Sequence, residues 1–534
     1  MLLTPVAWTF HFRWFLWILG SVGVLITVRQ YILPSSRIKH LRDWLERSST
    51  QYFEPLLVLI CFSATGFGWL EKYTQLRTLQ LNANDFWLFE DMLRNLNQGG
   101  FFLTRFHSAG IVQHGAVHAT WIWALGLPLS WILGPTQAAL LFGPLSLGIA
   151  AYFLGRLTQP KLRALSSLGF TLAFLFSSSV GKILAYDVHP EVTYPAMVFL
   201  WAWSLGLGDG KIRWSGLAIA TLAGIGIKED SFLVFFPWLT WAIYALKGTQ
   251  RRAALFSFSL AIVCYGCSVY SIGRWSDGQW GPHAWHQSPV IIPPGADLIH
   301  GIHWSSFSGV SKIIHFLIQE NGGLLGVFRQ AVGFACSRQW LSILAWVPWV
   351  LFEPYFFWLL GPLAFSYSLL KRAAILNIYY SAPFLGSIWT CAVLSEPTRK
   401  RPIQFAAYAV MATCLLGNAS FQLSIPTSEV LAWEKQSKKL VQHLCPSFRG
   451  LVQTPLIPWV PRNQILSEKI PERWDDFDFV FISPSIPSFE MPQAASTQLL
   501  GVLSQSKAWR EIRLEFSTDR DAHLFVKREL KCPT

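Results

Sequence analysis

The sequence predicts an all-α polytopic membrane protein with about twelve spans and a small C-terminal α/β domain. Of the 534 residues, 52% are hydrophobic and only 14% are charged, whereas a soluble domain carries about a quarter charged residues. Apolar runs recur along most of the chain, and the 27 tryptophans and 40 phenylalanines suit the two membrane interfaces. The N-terminal residues lack the basic start and cleavage site of a secretory signal, so we interpret them as an uncleaved first span.

The net charge of +13 does not predict a nucleic-acid partner, because the basic residues form short clusters between apolar runs rather than one basic face. Such clusters mark cytoplasmic connectors under the positive-inside rule. The expected partners are membrane lipids, and the expected location is the cell membrane. The clusters are Arg37–Arg47, Arg156 with Lys161 and Arg163, Lys211 with Arg213, Lys247 with Arg251 and Arg252, and Arg399 with Lys400 and Arg401.

Candidate spans follow from the apolar runs, since a helix needs about 20 apolar residues to cross a bilayer and somewhat fewer when its ends snorkel. The runs are 10–29, 54–71, 136–155, 164–183, 192–207, 214–228, 231–246, 253–272, 340–353, 355–370, 378–394 and 403–420. We therefore divide the chain into an N-terminal span with a basic connector (1–52), a transmembrane domain (53–420) and a C-terminal domain (421–534).

The apolar stretch 115–133 needs separate treatment, because a full crossing there would invert the sidedness of everything downstream. We interpret it as an interfacial or re-entrant segment. The alternative is that it crosses and a later short run does not. With the first interpretation, the long loops 72–135 and 273–339 and the C-terminal domain are extracytoplasmic.

The C-terminal domain shows a mixed pattern of helices and strands. We predict a helix near 427–443, a strand at Phe477–Ile482, a helix near 492–506 and a hairpin formed by Glu511–Ser517 and Ala522–Lys527. Cys445 and Cys532 also fall in this region, and an extracytoplasmic location would allow them to pair.

Ionisable side chains inside or beside apolar runs are candidate functional groups, because charge at membrane depth is costly. Three acidic clusters stand out, and the predicted topology places all three on one face of the membrane. Asp, His and Glu side chains that meet at a wet cavity can bind a divalent cation, position a phosphate and deprotonate a hydroxyl. The clusters are Asp85 with Glu90 and Asp91, Asp187 with His189 and Glu191, and Lys228 with Glu229 and Asp230.

Each cluster also has a structural interpretation. The first could be solvated loop residues, the second a polar turn broken by Pro190, and the third an ion pair at a helix end. His118 lies four residues after His114, so a helix would place both on one face towards the cavity, although interfacial packing is the commoner role. Lys371 and Arg372 lie outside against the positive-inside trend and could bind a lipid phosphate, unless a span boundary is displaced.

The order of these motifs resembles a prokaryotic family of predicted membrane proteins classed as a domain of unknown function (2079). The resemblance rests on Asp85 with Phe89-Glu90, His118, Asp187-x-His189-Pro190-Glu191 and Lys228-Glu229-Asp230. That family in turn resembles the GT-C superfamily, whose members transfer sugars from lipid-phosphate donors. The likeness implies a GT-C-like fold, with Asp85 as catalytic base or metal ligand and Asp187, His189 and Glu191 as metal or phosphate ligands. Two departures are Asn377-Ile378-Tyr379-Tyr380, where a His-Tyr pair is usual, and Phe86-Trp87 directly after the aspartate.

The resulting hypothesis is a membrane glycosyltransferase that moves a sugar from a polyprenyl-phosphate donor to an extracytoplasmic acceptor. We assign Asp85, Glu90 and Asp91 to catalysis, and Lys228, Glu229, Asp230, Lys371, Arg372 and His118 to substrate or phosphate binding. Asp187, His189 and Glu191 are the candidate ligands of a divalent metal, Mg²⁺ or Mn²⁺. The alternatives are a transporter or lipid flippase with a midplane site, and a scaffold whose C-terminal domain binds a partner. The chain has no Walker motif, so ATP-driven transport by this chain alone is not expected.

Overall fold

The computed structural model describes most of the helical domain and the centre of the C-terminal domain. The described residues are 44, 46–77, 85–100, 103–107, 110–113, 120–186, 188–228, 230–275, 322–369, 381–402, 405–406, 408–409, 444, 448–453, 456, 460, 465–467, 477–484, 491, 493–513 and 522–529. The predicted span 10–29, nearly all of 403–420, the helix near 427–443 and the Cys445–Cys532 pair lie outside these residues.

The described part of the helical domain is built of α-helices. In chain order, they are α1 (Phe53–Arg77), α2 (Asp85–Asn97), α3 (Leu127–Leu133), α4 (Pro135–Thr158), α5 (Ala164–Leu175), α6 (Ser178–Ala185), α7 (Tyr194–Gly206), α8 (Lys211–Ile225), α9 (Ser231–Ala245), α10 (Gly248–Trp275), α11 (Gly323–Ala335), α12 (Arg338–Leu344), α13 (Phe356–Leu369), α14 (Ala382–Leu394) and α15 (Glu396–Lys400). Three 3₁₀ turns accompany them, at Trp121–Gly126, Pro190–Thr193 and Pro348–Phe352.

Most predicted spans coincide with helices, but they differ in length. Within the described residues, α1 and α4 are long and apolar enough to cross a membrane, and the pair α5–α6 would be a third span bent by 43°. Five further apolar helices have 10–17 residues. The number of about twelve spans stays a prediction.

One predicted span is wrong as a continuous helix. The run 340–353 forms the short helix α12, and a 3₁₀ turn then begins at Pro348. Proline has no N–H to donate and disfavours helical backbone at the preceding residue. Val347 accordingly leaves the helical region, with φ −144° and ψ 56°.

The helices pack around α7 and α14, whose side chains are buried along almost their whole length. Helix α4 lies against both α1 and α7, and Gly148 allows the close approach to α1, because a Cβ there would collide with the Thr65 hydroxyl. The outer helices expose large apolar side chains, such as Phe62 (77% exposed) on α1 and Phe357 (66%) on α13. An apolar outer surface of this extent indicates contact with lipid.

The basic connectors meet at one end of the helices, which we call the basic end. Arg156 forms an ion pair with Glu54 at 2.6 Å, and Arg213 donates to the carbonyl of Thr249 in the next basic connector. Desolvation of the Lys161 ammonium and the nearby charge of Arg399 lower the pKa of Lys161. The basic clusters at Lys161 and Arg399 therefore lie near each other, as do those at Arg213 and Lys247, which agrees with the charge pattern.

The described part of the stretch 115–133 is a 3₁₀ turn followed by α3, and together these 13 residues reach about 20 Å at helical rise, less than the roughly 30 Å bilayer core. Helices α7 and α14 also have 13 residues, but they are buried among other helices. Trp131 and Ile132 on α3 are instead 68% and 79% exposed. A short segment with an exposed apolar tip fits the interfacial or re-entrant interpretation.

The C-terminal domain contains a five-stranded sheet, in which the strands lie side by side in the order Ile465–Ser467, Arg449–Val452, Phe479–Ile482, His523–Lys527 and Trp509–Arg513. Its strands are β3 (Arg449–Val452), β4 (Ile465–Ser467), β5 (Phe479–Ile482), β6 (Trp509–Arg513) and β7 (His523–Lys527), with α16 (Gln493–Gln505) between β5 and β6. The predicted strand near 477–482, the helix near 492–506 and the final hairpin are confirmed, although its first strand begins at Trp509 rather than Glu511. Strands β3 and β4, which pair in parallel, were not predicted.

The two faces of this sheet pack against different partners. Val480 and Ile482 face the same core as Leu499 and Leu503 of α16. Phe479 and the other residues of the opposite face belong to the hydrophobic core shared with the transmembrane helices. Strand β4 also lies against a hairpin of the first loop, formed by β1 (Leu103–His107) and β2 (Gly110–Gln113). Because this hairpin contacts α2, the C-terminal domain lies at the end of the helices opposite to the basic connectors.

Candidate functional site

The second and third acidic clusters meet at the end opposite to the basic connectors, which we call the acidic end. Lys228 donates to Glu191 Oε1 at 2.8 Å, and both side chains are almost fully buried. The other oxygen, Glu191 Oε2, contacts His189 Nδ1. Charges that lie 37 residues apart in the sequence therefore form one buried group.

Local sequence signals explain how these side chains are presented. Pro190 begins the 3₁₀ turn that leads into α7, which matches the preference of proline for the first turn of a helix. Lys228, the partner of Glu191, lies at a break between α8 and α9. At this break Gly226 accepts a hydrogen bond from Ile122 N at 2.9 Å, and a Cβ on Gly226 would press against Trp121 at 3.2 Å. Glycine thus lets the 3₁₀ turn 121–126 approach the segment that carries Lys228.

Asp230 is held by two tyrosine hydroxyls. Tyr194, at the start of α7, donates to Oδ1 at 2.5 Å, and Tyr367, in the last turns of α13, donates to Oδ2 at 3.4 Å. Both tyrosines are buried, whereas Asp230 is half-buried. The carboxylate is therefore fixed by α7 and α13 and remains partly accessible.

Helix α2 supplies the first acidic cluster. Glu90 is fully buried, forms an ion pair with Arg94 at 2.5 Å and accepts from the Thr136 hydroxyl at 2.9 Å. Asp91 is also fully buried and lies on the same helix. Asp85, in the first turn of α2, is half-buried. Glu90 thus joins α2 to α4, and Asp85 is the member of this cluster that reaches the surface.

An aromatic wall joins α2 to the other clusters. The edge of the His189 ring meets Phe89, with ring centroids 5.5 Å apart and an interplanar angle of 87°. Phe89 stacks on Trp123 at 4.7 Å, and Trp123 stacks on Phe142 of α4 at 4.2 Å. Aromatic packing of this kind holds ring orientations, so α2 contacts the Asp187–Glu191 segment directly.

A cavity opens beside His189 between α1, α4, α6 and the 3₁₀ turn 190–193. It is small, about 10 Å³, which is room for about one water molecule. Lys72 of α1 lines it and is only 2% exposed. The Lys72 ammonium donates to Gln75 Oε1 at 3.1 Å and to the carbonyl of Tyr186, the residue before Asp187.

The structure brings together His189, Glu191, Lys228 and Asp230, and it places α2 with Asp85, Glu90 and Asp91 beside them. The remaining predicted site residues, Asp187, Glu229, His118, Lys371 and Arg372, lie outside the described residues. Asp187 and Glu229 are nevertheless each flanked by described residues of the site.

The described residues do not by themselves fit a divalent metal. No group of three or more His, Cys, Asp or Glu side chains suited to a metal occurs among them. Both Glu191 oxygens are engaged, one by Lys228 and one by His189. The metal set of Asp187, His189 and Glu191 stays a prediction.

Sequence reasoning missed Lys72, Arg94, Tyr194 and Tyr367. Lys72 could have been found, because Glu71-Lys72 follows an apolar run at the predicted membrane boundary, where an ionisable pair is a functional signal. The tyrosines give no such signal, since tyrosine is common at membrane interfaces. Their role depends on helices far apart in the sequence.

Comparison with known proteins identifies the family. Residues 75–516 match the family described as Predicted membrane protein (DUF2079), and the chain belongs to this family of membrane proteins. No curated protein matches. Among solved structures, the chain is similar to ArnT from Cupriavidus metallidurans bound to undecaprenyl phosphate, with 12% identity, coverage of 89% of this chain and 99% of that chain, and a TM-score of 0.45. A likeness at this distance defines neither the fold nor the activity of this chain.

Proposed function

We propose that this protein is a membrane glycosyltransferase that moves a sugar from a polyprenyl-phosphate donor to an acceptor hydroxyl outside the cytoplasm. The observation that carries the proposal is the meeting of carboxylates, a lysine and an imidazole from three distant segments at one end of a lipid-facing helical bundle. Buried charges are costly to maintain in such a bundle, so their convergence marks a functional site.

The reaction requires a base, cations beside the departing phosphate, and a route by which the lipid reaches the site. The acidic end offers candidates for the base and the cations, and the outer surface of the helices offers the route. A carboxylate accepts the proton of the acceptor hydroxyl, and the acceptor oxygen then bonds to the anomeric carbon. The bond between that carbon and the phosphate oxygen breaks, and the polyprenyl phosphate leaves with the electron pair. Cations neutralise the departing phosphate, and an apolar outer surface gives the lipid a route to the site.

Burial separates the roles of the carboxylates. Glu90, Asp91 and Glu191 are fully buried, so they hold the site in shape through their partners. Asp85 and Asp230 are half-buried, so among the described carboxylates these two are the candidates for the acceptor-activating base. Asp230 is the better-oriented candidate, because Tyr194 and Tyr367 fix its two oxygens.

Lys371 and Arg372 extend the proposal as phosphate-binding residues. Tyr367, four residues before Lys371, already contacts the site through Asp230. The C-terminal domain lies at the same end, so we propose that it too is extracytoplasmic.

The test is sugar transfer in membrane vesicles, using a panel of radiolabelled polyprenyl-phosphate sugars. Asp85→Asn and Asp230→Asn should each be compared with Glu54→Gln, a matched change at the basic end. We expect one or both of the first two to abolish transfer, while Glu54→Gln retains it. Full transfer in both site variants would discard the site, and uptake of labelled sugar without transfer would favour a transporter.

A further inference from the structure

The inward face of α1 contains a buried lysine. The buried residues of this face follow one another at helical spacing and are Phe53, Leu57, Cys61, Gly68 and Lys72. The outer face is exposed, as at Phe62 (77%), whereas Lys72 is only 2% exposed. An ammonium group on an inward face is destabilising unless oxygen atoms solvate it. The partners of Lys72 therefore indicate what this lysine does.

The packing of α1 brings Lys72 to the C-terminal end of α6. Gly68 lies one turn before Lys72 on the same face of α1. A Cβ at Gly68 would lie 3.0 Å from Pro144 of α4 and 3.4 Å from Leu184 of α6. Because glycine has no side chain, α1 can approach both helices closely at this point. The next turn of α1 consequently lies against the last residues of α6.

Lys72 forms a cap for α6. This helix ends at Ala185, and Tyr186 follows with extended backbone, φ −76° and ψ 173°. The last carbonyls of a helix have no intrahelical partner and carry partial negative charge, which a cation stabilises. The Lys72 ammonium donates to the carbonyl of Tyr186 and to Gln75 Oε1, the latter at 3.1 Å. A side chain of α1 thus satisfies the end of a different helix.

The cap lies at one end of the segment that carries predicted site residues. Residues 187–189 connect Tyr186 to the 3₁₀ turn that contains Glu191. At the far end of this segment, Glu191 accepts from Lys228. Two lysines from distant parts of the chain, Lys72 and Lys228, therefore hold the segment at both ends. A backbone held in this way presents its side chains in a narrow range of positions, as a reaction site requires.

We infer that Lys72 is a positioning residue for sugar transfer, which fixes the backbone that carries Asp187 and His189. The inference rests on the proposed function and deepens it, because it gives a role in the reaction to a helix outside the three acidic clusters. Without the cap, the segment 187–189 can shift, and a displacement of about 1 Å can lower a reaction rate about 100-fold. Donor binding depends on other groups and is retained.

The first test measures transfer kinetics of purified protein in nanodiscs, with the radiolabelled polyprenyl-phosphate sugars used above and with rates expressed per folded molecule. Lys72→Met keeps the length of the side chain and removes the ammonium. We expect kcat to fall by about tenfold or more, while KM for the donor stays within a few-fold of wild type. Lys72→Arg keeps a cationic donor and should restore most of the rate. Lys161→Met, the same change at the basic end beside Arg399, is the matched control and should leave both constants unchanged.

The second test measures the cap without any substrate. Hydrogen–deuterium exchange of the peptide 183–193 should be faster in Lys72→Met than in wild type, because the end of α6 is no longer held. Exchange of α8 should not change. If Lys72→Met does not fold, as judged by thermal unfolding and gel filtration, Gly68→Val takes its place. Its side chain forces α1 away from Pro144 and Leu184 while the lysine is kept, so we expect the same changes in kcat and in exchange.

The inference would be overturned by any of three results. A lower melting temperature with an unchanged kcat per folded molecule would assign Lys72 to stability alone. A higher KM for the donor with an unchanged kcat would make Lys72 a donor-binding residue. Unchanged exchange of 183–193 would show that the cap does not hold the segment.

The two proposals fail in different ways. Absence of transfer by the wild-type protein would remove the glycosyltransferase proposal, while faster exchange in Lys72→Met would still show that the lysine holds the segment. Sugar transfer that is insensitive to Lys72→Met would keep the enzyme and remove the positioning role.

Discussion

The two ends of the helical bundle use charge in different ways. At the basic end, the cations lie at the ends of helices and in the connectors between them; Arg213 is buried there, but the Arg156–Glu54 pair is 36% and 44% exposed. At the acidic end, Lys228 and Glu191 are 8% and 0% exposed and come from distant segments. Charges in water cost little and set orientation in the membrane. Buried charges depend on their partners, and the acidic end is where we propose that the chemistry takes place.

The largest expected effect comes from breaking the buried pair. Lys228→Ala leaves Glu191 as a buried carboxylate without its lysine, and we expect a loss of about 3–5 kcal/mol in the free energy of unfolding. Thermal unfolding in detergent with a fluorescent thiol- or tryptophan-based readout checks this. A loss below about 1 kcal/mol would show that the pair is not buried in the folded protein.

Next in size is the effect of Tyr194→Phe. This change removes the hydroxyl that donates to Asp230 at 2.5 Å, and hydrogen bonds to charged groups contribute about 1.5–3 kcal/mol. If Asp230 is the base, sugar transfer should fall by about tenfold or more while donor binding is retained. The double variant with Asp230→Asn should be no worse than Asp230→Asn alone. Additive losses would show that Tyr194 acts independently of Asp230.

The aromatic wall offers a smaller effect. Phe89→Leu keeps an apolar side chain but removes the ring that meets His189 and stacks on Trp123, and aromatic pairs contribute about 0.5–1.5 kcal/mol beyond burial. We expect a melting temperature only slightly below that of the wild type, together with a clear decrease in the rate of sugar transfer. Phe153→Leu is the control, since Phe153 pairs with Tyr152 and Trp203 away from this wall.

The smallest effect is expected at the basic end. Arg156→Ala breaks a partly exposed ion pair with Glu54, and such pairs contribute about 0–1 kcal/mol. Thermal unfolding should change little, and sugar transfer should remain at the wild-type level. A decrease in the free energy of unfolding as large as that of Lys228→Ala would contradict the distinction between the two ends.

Part of this architecture could be predicted from the sequence because local rules determine it. Apolar runs predicted α1 and α4, and the strand and turn signals at Phe477–Ile482 and in the final hairpin predicted strands β5, β6 and β7. Strands β3 and β4 escaped prediction, since they are short and pair only within the folded sheet. The run 340–353 was predicted as one continuous helix because composition alone does not weigh Pro348, which begins a separate 3₁₀ turn.

The candidate site shows the same limit. Charge counting placed the acidic clusters on one face, and the structure brings Glu191 to Lys228. The tyrosines around Asp230 and the lysine of α1 come from helices whose packing no local pattern reveals. Sequence therefore predicted which residues are ionisable near the membrane, whereas tertiary packing determines which of them are buried, paired or accessible.

The central claim is that Asp85 and Asp230 lie at one wet pocket outside the cytoplasm, opposite to Arg399. In a cysteine-free background, Asp85→Cys, Asp230→Cys and Arg399→Cys can each be probed in intact cells with a membrane-impermeant maleimide. Positions 85 and 230 should be labelled from outside, and position 399 should be labelled only after permeabilisation. Labelling of 85 and 230 from opposite sides of the membrane would contradict it.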